Sequence, residues 1–311
     1  MNRVRSLVLS LSTGYVLMFF SEHLFWARAR PGDTLGGWLA TWLAYSLLAF
    51  IFLSAVHHYR VHSLEALFVA GALVGWLGEG VLVQTLYDLF PLQISWTGLA
   101  WHSLISVCIG WYGLRRALAE PGAGRATVWC LGLGVFWGFW AIFWRVEEPG
   151  AQASLEAFAA FAFLTTAILA VSLWVCEMVD PRAFSPSGLS IAAALGALLV
   201  IFYLGTLPIA PMAIVTLPLL LALVLVALAR NRACETGDDV LSLPGSRPLR
   251  PKALLALAII PSAATLIYAA AIAFDLRWRT NWVVYLVTMP AGFLLFGASW
   301  IRLMRRRRVC P

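Results

Sequence analysis

The chain has 311 residues, of which 61% are hydrophobic and 12% charged. That balance excludes a water-soluble globular domain, which must clothe its core in polar groups. The net charge of +7 does not point to nucleic acid: 21 of the 22 basic residues are Arg, most flank apolar segments, and no aromatic or glycine pattern accompanies them.

A helix needs about 20 apolar residues to cross a hydrocarbon core roughly 30 Å thick. Along this chain the rule predicts an all-α, polytopic transmembrane bundle of about ten spans. The first, 6–26, follows Arg3 and Arg5 in the manner of a signal peptide. It is too long, however, and ends in Phe25-Trp26 instead of small residues, so it is read as a retained span. Spans at 36–56, 64–88, 95–114, 126–144 and 153–176 follow, parted by breaker-rich links such as 29–33 and 147–150. The segments 188–207 and 211–229 are separated only by the stretch from Pro208 to Pro211, and read as two spans or as a kinked, re-entrant unit. The last two spans, 253–274 and 281–302, come after a polar stretch.

This pattern divides the chain into a membrane bundle of about eight helices (1–229), a cytoplasmic linker (230–252), two final helices (253–304) and a basic tail (305–311). The front of the bundle, 1–150, is aromatic and holds eleven of the fifteen tryptophans, so the two halves differ and no inverted repeat is visible. Seventeen of the 22 basic residues fall at the termini and in the even-numbered connections, against five in the odd-numbered ones. The positive-inside rule then places both termini in the cytoplasm, with the protein in the inner membrane among anionic lipids.

Few motifs carry chemistry. Cys108, Cys130, Cys176, Cys234 and Cys310 form no ligand spacing, so no metal site is expected. No nucleotide, zinc-hydrolase or serine-hydrolase fingerprint occurs, and the sequence names no cofactor.

The informative residue is Glu79, in the run Gly75 to Gly80, because a carboxylate inside a bilayer costs roughly 2.5 to 3.5 kcal/mol on insertion scales and survives where it has a partner. The third and fourth spans join through a tight turn at 88–93, and Glu79 and His102 are equidistant from the Phe90-Pro91 step. In an antiparallel hairpin they should therefore lie level, about 4 to 5 Å to the outer side of the midplane. Gly71, Gly75 and Gly78 make a small-residue stripe that lets the neighbouring backbone come near. A Glu and a His in contact suit proton handling. The plainer reading is a polar lock between two helices.

Glu22, Gln84, Trp101, Trp137, Trp140 and Glu156 are the further candidates for binding. Trp137, Trp140 and Trp144 share one helix face, which reads as packing or as the wall of a ligand cavity. Three functions fit. A secondary transporter would bind a proton, small molecule or cation at an outward-facing Glu79–His102 site. A membrane-embedded enzyme would act on a lipid or lipid-linked substrate, with Glu79 as base and His102 as acid or metal ligand. A non-catalytic subunit would pack its aromatic front on a partner subunit.

Overall fold

A computed structural model describes residues 2–120, 122–147, 152–232, 240 and 251–306. Most of the expected linker at 230–252 and tail at 305–311 lies outside them. Among the described residues there is no strand.

The long helices are α1 (Arg3–Trp26), α2 (Leu35–Tyr59), α3 (Leu64–Leu82), α4 (Ile94–Leu114), α5 (Ala123–Glu147), α6 (Leu155–Val179), α7 (Gly188–Thr206), α8 (Ala213–Arg232), α9 (Leu255–Ala273) and α10 (Thr280–Arg305). All but α4 are long and apolar enough to cross a membrane, making nine such helices among the described residues. The protein is a multi-pass membrane protein. The segments either side of Pro208 form two separate helices, α7 and α8, of 19 and 20 residues. The third helix stops at Leu82 and not at 88, because Gln84 turns left-handed (φ 61°) and its side-chain amide donates to the Val81 and Leu82 carbonyls at 2.8 and 3.2 Å.

The centre of the bundle is α3. Its apolar window is 89% buried, against 11% for α7 and 17% for α10. A helix apolar on every face belongs inside other helices, and α3 is enclosed by α2, α4, α8 and α10. Meanwhile α1 packs along α2 and α6, and α9 lies against α5 and α6.

The α3–α4 hairpin is held backbone to backbone. A methyl group on Gly75 would overlap the Gly98 carbonyl, and one on Gly71 would come 2.7 Å from the Ser103 hydroxyl. Only glycine allows that approach, which sets the depth at which side chains of α3 and α4 meet.

Most arginines gather at one end of the bundle. There a buried Arg115 pairs with Glu177 at 3.0 Å across α4 and α6, and Arg302 pairs with Glu65 at 3.0 Å. Val240 returns to this end, its N–H donating to the Val61 carbonyl at 2.6 Å. At the opposite, arginine-poor end a buried Arg145 donates to the carbonyls of Ala271 and, at 2.9 Å, Leu276, closing the last turn of α9.

Overpacking at the hairpin contact should cost about 1–3 kcal/mol. Gly75→Ala is therefore expected to lower the Tm of the purified protein in detergent. Gly132→Ala, which meets nothing within 4 Å, should leave it unchanged.

Candidate functional site: a buried carboxylate and imidazole

The site is built where helices lose their regular winding. Phe19–His23 of α1, Gly78–Leu82 of α3 and the whole of α4 have π-helical geometry, with hydrogen bonds reaching one residue further back than in an α-helix. Widening the coil frees carbonyls that no water can satisfy at membrane depth. Side chains from other helices do so instead. The Trp101 indole donates to the Phe20 carbonyl at 3.0 Å, the Tyr87 hydroxyl to Gly80 at 3.0 Å, and the Thr206 hydroxyl to Val81 at 3.0 Å.

Glu22, Glu79 and His102 all stand on these segments. His102 Nε2 lies 2.7 Å from Glu79 Oε1, and the two side chains are 4% and 11% exposed, so water barely reaches the pair. The Thr85 hydroxyl donates to the other oxygen, Oε2 of Glu79. On the far side of the ring, His102 Nδ1 is 2.8 Å from Ser21 Oγ, and Ser21 Oγ is 2.8 Å from Ser106 Oγ. Ser106 Oγ lies 3.1 Å from the Trp101 carbonyl, which ends the chain.

This chain of hydroxyls can serve the imidazole in both protonation states. When His102 is neutral and donates from Nε2 to Glu79, the Ser21 hydroxyl donates to Nδ1. When it is charged, Nδ1 donates to Ser21, Ser21 to Ser106 and Ser106 to the Trp101 carbonyl. Rotating hydroxyls accomplishes the change, and no buried donor is orphaned in either state.

A second carboxylate stands one layer away. The Tyr45 hydroxyl donates to Glu22 Oε1 at 2.7 Å and the Trp26 indole to Oε2 at 3.1 Å. The Tyr45 ring centroid is 6.2 Å from that of His102. Glu22 also borders a cleft with His23, Trp26, Arg30, Asp33 and Trp38, at the arginine-poor end. Asp33 there is held below the usual carboxylate range. Partial burial pushes it up, but the Arg30 backbone N–H, the Trp38 side chain and the Arg30 guanidinium outweigh that effect.

The cleft holds only about 20 Å³, room for roughly one water. At Glu79 and His102 themselves, where an outward-facing cavity is expected, the side chains are buried among the helices. Close packing of α3 on α4 across Gly71 and Gly75 brings the two side chains together there.

The other expected residues are distributed differently. Gln84 spends its amide on the end of α3. The indoles of Trp101 and Trp140 donate to the Phe20 and Phe25 carbonyls, at 3.0 and 2.6 Å, and their rings meet at 4.7 Å. Trp137 is fully buried against Phe19 and Phe158, and its indole nitrogen has no hydrogen-bond partner among the described residues. The tryptophans therefore fill the core and close the end of α1. Glu156 is exposed in the first turn of α6, where its carboxylate accepts from the Ser154 hydroxyl and from its own backbone N–H.

Sequence reasoning did not find Tyr45, Thr85 or Ser106. Ser106 has the residue type that usually bonds its own helix, Thr85 lies in the connection after α3, and Tyr45 comes from α2, with no spacing that relates it to Glu22. The described residues hold no group of three His, Cys, Asp or Glu side chains able to bind a metal ion. Comparison with known protein families, curated proteins and solved structures finds no match.

Removing one member of a buried pair strands the other, at a cost of about 3–5 kcal/mol. Glu79→Gln and His102→Gln should each lower the stability of the purified protein. The double variant should lose clearly less than the sum of the two, read by denaturation in a double-mutant cycle.

Proposed function

We propose that this protein is a secondary transporter of the inner membrane, and that Glu79 and His102 bind the proton that drives a small solute or cation across. The observation that carries this reading is the 2.7 Å contact of a carboxylate with an imidazole inside the bundle, with a hydroxyl chain that accepts either protonation state. An ionisable group in the membrane marks a proton or ion path by default, and His changes charge in the physiological range. The setting also fits. Coupling-ion sites in transporters lie near the midplane on interrupted helices, and here α1 and α3 change winding at the site itself.

In this reading the structure corresponds to an occluded state, with the one-water cleft at Glu22 on the side from which the proton arrives. Glu22 and Tyr45 lie between that cleft and His102 and form the next station for the proton. Occlusion favours transport over catalysis on a lipid, because a bulky lipid-linked substrate needs an opening at the pair.

The test is proton flux. Proteoliposomes loaded with a pH-sensitive dye should acidify when a transported solute, found by screening small cations and polar solutes, is added outside. Glu79→Gln and His102→Gln should abolish the signal, and Glu156→Gln should keep it. Solute uptake by both pair variants at the wild-type rate would remove the pair from the mechanism.

Orientation is tested separately. With the arginine-rich end in the cytoplasm, a fluorescent protein fused to the C-terminus should be bright and alkaline phosphatase fused there inactive, whereas phosphatase fused in the link near Gly150 should be active.

A further inference from the structure

Near the middle of the bundle α1 and α2 touch at Gly14, which has no room for a side chain against Ser46. Beside that contact, between α1, α2 and the start of α7, lies a groove of about 480 Å³ open to the bundle surface. Arg3, Ser6 and Ser187 line it at the arginine-rich end, and Leu7, Leu11, Leu43 and Leu47 line much of the rest. Two buried serines in its wall spend their protons on their own helices, Ser10 on the Ser6 carbonyl at 2.8 Å and Ser46 on Trp42 at 2.7 Å. The wall along Ser10 and Ser46 therefore offers no hydroxyl proton to a ligand, and the remaining serines lie toward the Arg3 end. Arg3 has no acidic partner among the described residues.

The dimensions are those of a lipid. From Arg3 to Leu11 the helix rises about 12 Å, close to the roughly 15 Å depth of one leaflet. On one flank stands α7, whose apolar window is 11% buried and which therefore already faces lipid.

We propose that this groove binds one anionic phospholipid, its phosphate on the Arg3 guanidinium and an acyl chain along Leu7, Leu11 and Leu47. The match is chemical at both ends, a cation at headgroup level and an apolar channel one leaflet deep. A soluble anion would use only the first, and a helix of a second copy only the second. The site is separate from the Glu79–His102 pair, so its fate does not depend on the transport reading.

Native mass spectrometry of the whole protein, with phosphatidylglycerol or phosphatidylcholine added to the micelle, tests this. Wild type should retain phosphatidylglycerol in preference to phosphatidylcholine. Arg3→Gln, at an exposed position, should lower that retention about fivefold, the worth of one basic residue at an anionic surface. Arg5→Gln, whose charge faces Asp180, should not. Leu47→Trp should fill the channel and reduce retention of both lipids. Retention that Arg3→Gln leaves unchanged, or that Arg5→Gln reduces equally, would overturn the proposal. So would displacement of the lipid by millimolar inorganic phosphate, or a dimer that Leu47→Trp converts to monomer.

Discussion

Every arrangement around the centre of this bundle follows from one constraint: a carboxylate at membrane depth must find all its partners within the protein. Glu79 meets it with the His102 imidazole on one oxygen and the Thr85 hydroxyl on the other. The imidazole then needs a partner of its own, which Ser21 provides, and Ser21 needs Ser106. Each satisfied group creates the next requirement. The chain ends only at a backbone carbonyl, which needs nothing further. Isolated in hydrocarbon such a carboxylate would be expelled or neutralised, so the surrounding helices are fixed by its needs as much as by their own packing.

Two local features make the network reachable. Glycines at 71, 75 and 98 bring α3 and α4 into backbone contact, so short side chains span the gap. The π-helical turns of α1 and α3 widen the coil at the depth where Ser21, Glu22 and Glu79 project, and indoles and hydroxyls from neighbouring helices bind the carbonyls so released. Tryptophan is abundant here for this reason: it packs as an apolar body and still carries a donor. Trp101, Trp140 and Trp144 all spend that donor on α1.

That Glu79 and His102 meet is legible in the sequence, because they stand at equal residue counts from the Phe90-Pro91 step, although α3 ends at Leu82 and α4 is π-helical. The glycine stripe beside Glu79 is legible too. What surrounds the pair is not. Tyr45 reaches Glu22 from α2, and no hairpin register or helical spacing relates the two residues. Thr85 joins because α3 ends early, at a left-handed Gln84, and the chain doubles back over the carboxylate. Glu156 has the residue type of a site member and falls inside its helix, yet the helix presents it to the outside. Periodicity gives the angle between residues on one helix, but it does not give the direction in which the whole helix is rotated when apolar residues cover every side.

The sequence by itself determined the membrane setting, the long apolar helices and the facing of an acid and an imidazole, because these depend on hydrophobic length and on residue count from the connection between two helices. Tertiary structure alone decided which faces meet. It buried the acid and the imidazole, packed the tryptophan face into the core, and drew hydroxyls from helices distant in the chain onto the pair. Lipid solvates the outside of every helix alike, so burial of apolar side chains cannot choose among rotations; close packing across glycine and the pairing of buried polar atoms make that choice.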